Sequence, residues 1–355
     1  MDVRTASRFT LAALLFAALA GPAAAQNLTG AGATFPYPLY SKWFDLFHKQ
    51  TGIEINYQSI GSGAGIQQVK AGTVDFGASD AALSNDRLRE MPRKVLHFPT
   101  VGGAVALVYN VPGVTARIKL TPEAVSGIYL GRITLWNDKL IVATNAGISL
   151  PAAPILAVHR SDGSGTTNIF TLYLSSVSGA WKVQVGANTS VSWPSGVGGK
   201  GNEGVAGLVR QTPGAIGYVE LAYVRQNQLP VAVLKNRAGN FIEPSLESTT
   251  AAVAAAAPAL ARDVRTPIVN SNGGGAYPIS GLTYLLVYQD TKDPARAKAL
   301  ANFINWAIHD GQAVAAQLDY APLPAVVVKV NEASLRTLTS GGKPVVTAEL
   351  PARTR

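Results

Sequence analysis

The sequence predicts an α/β protein, and three observations carry that expectation. Apolar runs of period two alternate with amphipathic runs of period 3.6 along the whole chain. The helical runs carry stop and start residues at their ends, as where Thr121 and Pro122 open one and Gly131 closes it. Three of the strand-to-helix junctions are rich in glycine and hydroxyl residues, the composition of ligand-facing loops at the carboxyl edge of an open sheet. A length of 355 residues suits about two domains, and an apolar content of 47% excludes a disordered chain.

Residues 1–25 read as an export signal rather than as part of the fold. "MDVRTASR" is a basic start, "FTLAALLFAALAG" is too short to span a membrane comfortably, and Ala23 and Ala25 form an A-x-A cleavage pattern. The mature chain then begins near Gln26 and is soluble: no cysteine follows to take a lipid, and no later run reaches about 20 apolar residues. Next, "GAGATFPYP" (30–38) leads into "LYSKWFDLFHKQ", whose Leu39, Trp43, Phe44 and Phe47 form one stripe and which Gly52 stops. "IEINYQSI" alternates as a strand, "SIGSGAG" (59–65) turns into a short helix from about Ala64 to Ala71, and "VDFGAS" is a buried strand.

"GGAVALVYN" (102–110) and "ISGLTYLLVYQD" (279–290) are apolar strands that bracket a middle section of domain size. A discontinuous lobe and an inserted lobe would need two such crossings, although periodicity by itself does not establish them. Between them, "ILAVH" reads as a strand and "TNIFTLYL" as a helix with Ile169, Phe170, Leu172 and Tyr173 apolar, so "RSDGSGT" occupies the turn. "TTAAVAAAAPALARDV" (249–264) reads as a surface helix broken near Pro258. "DPARAKALANFINWAIHDG" runs from Asp293 and Pro294 to Gly311, with Leu300, Phe303, Ile304 and Ala307 as its apolar face.

Composition removes several functions. The absence of cysteine excludes thiol nucleophiles and disulfide frameworks. His48, His97, His159 and His309 form no metal-ligand spacing, so no metal or cofactor is expected. The formal charge of +9 becomes +8 once Asp2, Arg4 and Arg8 leave with the signal. A basic exported protein favours anions, though a high isoelectric point can equally reflect habitat. The basic residues are scattered, which argues against nucleic acid. "GGKGN" (198–202) fails as a Walker A loop, because Gly201 follows Lys200 where Ser or Thr is required and Pro194 stands at the first glycine position. "GSGAG" and "GSGTT" do not match the G-x-S-x-G of serine hydrolases.

The three glycine turns point to an anion. In "HRSDGSGTTNIF" (159–170), Gly163 and Gly165 allow close backbone approach, and the first helical N–H groups are unpaired. Ser164 and Thr166 add hydroxyl donors, and Arg160 offers a planar fork that Asp162 can hold in place. Taken alone, the same residues could be a helix cap and a surface ion pair. Thr34 and Phe35 in the first turn and Ser62 and Gly63 in the second repeat the device, so three helix N-termini can converge on one ligand.

"TGAGATFPYPLYSKWF", "YQSIGSGAGIQQVKAGTVDFGASDAALS", "HRSDGSGTTNIFTLYL", "WPSGVGGKGNEGVAG", "PGAIGYVELAY" and "LDYAPLP" occur in an order and spacing that resemble the periplasmic phosphate-binding proteins of phosphate ABC transporters, the PstS family. The resemblance covers nearly all of the mature chain; the Ala-rich helix and the tail after about Leu338 are its variable parts. It implies a type II periplasmic-binding-protein fold: two α/β lobes joined by two crossing hinge strands, with the ligand cleft between them. The expected boundaries are a signal peptide at 1–25, lobe I at 26–105 and 278–355, and an inserted lobe II at 106–277. The implied function is binding of inorganic phosphate in the periplasm, as a monomer, with delivery to membrane permease subunits of a phosphate ABC importer and no catalysis.

Carried over by motif, the resemblance implies phosphate contacts from Thr34, Phe35, Ser62, Asp80, Arg160, Ser164, Gly165 and Thr166, with Asp162 behind Arg160. Gly63 departs from the family, where a second serine is frequent. Asp80 would accept the phosphate proton. Sulfate has no proton to give at neutral pH, so its oxygen and the carboxylate would face each other as two buried acceptors. Two alternatives remain at this stage: a binding protein for another tetrahedral oxyanion (sulfate, molybdate or arsenate), and a secreted phosphate-ester hydrolase, for which a nucleophile with a partnered base or a metal cluster is missing from the sequence.

Overall fold

The computed structural model describes residues 27–346. The signal segment expected at 1–25 lies outside them. The described residues form one eight-stranded sheet with helices on both faces, and two small three-stranded sheets. In chain order the large sheet contains β1 (Leu28–Gly32), β2 (Ile55–Ser59), β3 (Phe76–Ser79), β4 (Val95–Tyr109), β5 (Leu156–Arg160), β6 (Val197–Gly199), β7 (Ala215–Glu220) and β8 (Ser280–Tyr288). Their spatial order is β2-β1-β3-β8-β4-β7-β5-β6.

Two parallel blocks, β2-β1-β3 and β7-β5-β6, are joined through an antiparallel centre. The 15-residue β4 makes the junction: Val95–Ala104 pairs with β8, and Val105–Tyr109 continues onto β7. Both central strands are covered on each face, which is why they read as unbroken apolar runs. The β4–β8 register shifts between Thr283 and Tyr284, opposite Val101 and Pro99. Pro99 has no N–H for the ladder, so an irregularity there loses little. The "LDYAPLP" segment closes over this centre: Ala321 exchanges backbone hydrogen bonds of 2.9 Å with Gly102, and Tyr320 Oη donates to Phe35 O at 2.7 Å.

Seven helices bear on the site or its frame: α1 (Tyr37–Thr51), α2 (Ser62–Ala71), α3 (Gly165–Val177), α4 (Gly201–Gln211), α5 (Leu246–Leu260), α6 (Pro294–Ile308) and α7 (Ala325–Leu335). The expected stripe of α1 is buried, and Phe44 and Phe47 meet Phe303 of α6 at ring separations of 5.5 and 5.3 Å. Gly52 ends α1 in the left-handed conformation, with φ of 74°. No helix among the described residues is long and apolar enough to cross a membrane.

Three element expectations need correction. Helix α2 starts at Ser62, two residues before the expected Ala64, because Gly61 and not the turn after it ends the extended backbone. Helix α5 runs from Leu246 through Pro258 to Leu260 without a break, and it buries Thr249, Ala252, Val253 and Leu260 rather than lying free on the surface. Pro258 falls in the last turn, where it forfeits only one helical hydrogen bond, and the Ser245–Ser248 capping box secures the other end. Gly311 does not close α6, which stops at Ile308; it opens the next short helix, Gly311–Gln317. The Trp43 ring explains the glycine there, since Trp43 Nε1 donates to Gly311 O at 2.9 Å and lies 3.2 Å from where a Cβ would sit.

Candidate anion-binding site

The turns after β1, β2 and β5 end at the carboxyl edge of their parallel blocks, and the order of the sheet turns these edges toward one another across β4 and β8. Contact between them is direct. Gly63 N–H donates to Gly163 O at 2.8 Å, and a Cβ added at Gly165 would lie 2.5 Å from both Asp80 Oδ2 and Ser62 Oγ. A Cβ at Gly63 would come within 2.9 Å of Gly163 Cα, so this packing leaves no room for a side chain at that position.

Thr34, Ser62, Ser164 and Thr166 are all 2% exposed or less, and Asp80 and Arg160 are 5% and 4% exposed. Among the described residues the N–H groups of Phe35, Ser62, Gly165 and Thr166 have no hydrogen-bond acceptor. Their neighbours are committed elsewhere: Thr34 O accepts from Tyr223 Oη at 2.6 Å, and Ser164 N–H donates to Thr189 O at 2.8 Å. Unpaired buried N–H groups are costly unless a ligand meets them. Ser164 caps α3, its Oγ accepting from Thr167 N–H at 3.0 Å. The cap reading and the ligand reading of this serine therefore coexist, because an accepting hydroxyl keeps its own proton to donate.

Arg160 is buried and Asp162 partly so, and their pair does not lie on the surface. Arg160 Nε and Nη2 donate to the two oxygens of Asp162 at 2.7 and 2.5 Å, which leaves Nη1 facing Thr166 Oγ1 at 3.3 Å. Burial pushes the Asp162 carboxyl up, but the Arg160 hydrogen bonds and charge, with the Gly201 N–H at 3.0 Å, outweigh it and hold the group below the usual carboxylate range. The site thus has one cation whose charge is already matched. His159, beside it in sequence, turns away and stacks on Trp193 at 4.7 Å.

Asp80 is the contrasting carboxyl. Burial pushes it up to about 7, against the pull of the Thr283 hydroxyl, the Arg160 charge and the Ser62 hydroxyl. Its Oδ1 is buried with no partner among the described residues, and the nearby Thr283 Oγ1 is likewise without one. The Asp80 N–H donates to Ser62 Oγ at 3.3 Å, and Ser79 Oγ braces the turn by accepting from Ala81 N–H at 3.1 Å. An acceptor with a free lone pair, set among unpaired donors, can receive the proton of a protonated oxyanion.

The structure adds residues that the turn pattern missed. The segment discarded as a Walker loop supplies Gly201 and Asn202 at the start of α4. Asn202 Nδ2 lies 2.7 Å from Thr34 Oγ1 and 3.2 Å from Thr166 Oγ1. Its presence in a segment shared with the phosphate-binding family was the available signal. Thr283 of β8 gave none, since a threonine inside an apolar strand has no mark of a site.

A family model, the PBP superfamily domain, matches residues 17–310. The phosphate-binding protein PstS of Pasteurella multocida is 46% identical over 331 residues, covering 93% of this chain and 96% of the relative. That of Xylella fastidiosa is 47% identical over 308 residues, covering 86% and 84%. Among solved structures, a phosphate-binding protein from Stenotrophomonas maltophilia superposes with a TM-score of 0.67 at 20% identity, covering 87% of this chain and 94% of that one. A periplasmic phosphate-binding protein solved with phosphate at pH 8.5 gives 0.67 at 24% identity over 87% and 93%. At these identities the structures speak to the fold. Matches at 46–47% identity over 86–93% of the chain, a matching superfamily domain and a shared fold together place this chain in the PstS family of the PBP superfamily.

Proposed function

We propose that this protein binds inorganic phosphate in the periplasm, as a soluble monomer, and delivers it to the permease subunits of a phosphate ABC importer. The observation that carries this is the buried cluster of unpaired N–H and hydroxyl donors around a single neutralised cation and one proton-accepting carboxyl, Asp80. Binding then rests on dipoles more than on net charge, which suits a dehydrated oxyanion in a low-dielectric site. Thr34, Phe35, Ser62, Asp80, Arg160, Ser164, Gly165 and Thr166 contact the ligand and Asp162 orients Arg160. Nothing in this set activates a nucleophile, so capture and release without chemistry is the role assigned.

Two lobes, 26–105 with 278–355 and 106–277, close on the ligand. The reading is supported by β4, which pairs with a strand of one block along its first part and with the other block along its second. The test is isothermal titration of the phosphate-stripped mature chain with phosphate and then sulfate, at neutral pH and two salt concentrations. One-to-one phosphate binding without a sulfate response is the expected result. Sulfate binding as well would reassign the ligand to another oxyanion, and no anion binding would reduce the three turns to helix caps.

A further inference from the structure

Asn202 does not project a charge into the cluster, yet the directions of its hydrogen bonds are all determined. Glu220 N–H donates to Asn202 Oδ1 at 2.9 Å. A backbone N–H can only donate, so the oxygen end of the amide faces β7 and the NH2 end faces the cleft. The NH2 in turn can only donate, and it meets Thr34 Oγ1 at 2.7 Å and Thr166 Oγ1 at 3.2 Å. Both hydroxyls must therefore accept.

Each receives a second donor. Thr34 Oγ1 also accepts from Asn202 N–H at 3.3 Å, and Thr166 Oγ1 from Arg160 Nη1 at 3.3 Å. A hydroxyl oxygen has two lone pairs and one proton. With both lone pairs engaged, the proton is the only function left to face the ligand, and both threonines are 2% exposed or less, so water is not the recipient. The same amide also spans the two halves of the sheet, since Thr34 follows β1 and Thr166 follows β5.

We infer that Asn202 is a positioning residue that sets the hydrogen-bond polarity of the anion site, occupying the acceptor sites of Thr34 and Thr166 so that both hydroxyls present only protons to the oxyanion. The inference rests on the phosphate reading of this cluster. It explains how a site with two buried, freely rotating hydroxyls can be made donor-only on every side except Asp80. Without the amide, either hydroxyl could turn its proton onto a protein acceptor and offer the ligand a repelling lone pair.

A double-mutant cycle on the full mature chain tests it, with inorganic phosphate as titrant. Asn202→Ala is expected to weaken phosphate binding about tenfold to a hundredfold, one hydrogen bond to a charged group. Asn202→Asp, whose carboxylate can only accept, is expected to weaken it further. In a Thr34→Val, Thr166→Val background, which keeps shape but lacks the hydroxyls, Asn202→Ala should change affinity within about twofold, the scatter of independent sites. In the phosphate complex of the parent chain, the Thr34 and Thr166 hydroxyl protons should show through-bond coupling to phosphorus by NMR, and Asn202→Ala should abolish it. Parent-like affinity in Asn202→Ala, or an equal loss in the valine background, would overturn the inference while leaving the phosphate reading intact. A parent chain that binds no phosphate would overturn both.

Discussion

Replacing Asp80 with asparagine should change the pH dependence of folding in a way that only a buried, unmatched carboxyl produces. In the folded chain burial pushes the group up to about 7 from the ordinary 3.8. Below about pH 4 both folded and unfolded chains carry the protonated carboxyl. Between those values the folded state keeps a proton that the unfolded state has released, so rising pH favours unfolding; above about 7 both are ionised and the penalty is complete. At 1.36 kcal/mol per pH unit, the accumulated loss is ~4 kcal/mol. Asparagine has nearly the same shape and no charge to bury. Chemical denaturation of both phosphate-stripped proteins from pH 4 to 8 should show Asp80→Asn gaining ~4 kcal/mol over the parent across that interval and no more beyond it. A difference curve that stays flat would mean the Asp80 carboxyl meets bulk water, and the argument for a sealed acceptor would fail.

The same substitution should relax selectivity, because an amide can donate to sulfate where the carboxylate can only repel it; competition calorimetry with unchanged phosphate preference would remove that role from Asp80. Gly165→Ala should weaken phosphate binding at least about tenfold by calorimetry and cost about 1–3 kcal/mol of unfolding free energy by denaturant titration, since its methyl would lie 2.5 Å from Asp80 Oδ2 and Ser62 Oγ. Asp162→Ala leaves the buried Arg160 guanidinium unmatched and should cost about 3–5 kcal/mol of stability by denaturant titration, partly restored by saturating phosphate. His97 accepts from Leu83 N–H at 2.9 Å and is held down to about 4, by burial first and by Arg265 second. Its stabilising contribution is therefore present above about pH 6.5 and lost as pH falls toward 4, by ~3 kcal/mol, and His97→Gln should abolish that slope in a difference curve. The His97 and Asp80 slopes oppose each other, so the parent curve alone would conceal both.

Much of this molecule is local. Apolar periodicity and caps identify α1, the strands before the second and third turns and the two central strands, because those signals lie within a few residues of one another. The α3 turn is equally legible: Arg160, Asp162, Gly163 and Ser164 are near neighbours, and their chemistry follows from their order. Where local rules compete, the reading slips, as at Pro258 and Gly311. A proline costs little in a last helical turn, and a glycine after a helix can serve a tryptophan ring instead of a cap.

What the amino-acid order determined by itself was the α/β class, the three donor-rich turns and, through shared motifs, the membership and expected ligand of the chain. What only the tertiary structure decided was who meets whom across the sheet: Gly165 against Asp80, Asn202 between Thr34 and Thr166, Thr283 behind the carboxyl. Those partners are 36 to 203 residues apart in the chain, as Thr166 is from Asn202 and Thr283 from Asp80. No periodicity or capping rule reaches that far. Burial is the physical reason the distinction matters, because a carboxyl, a hydroxyl and an amide acquire their direction and their charge state only when water is excluded from around them.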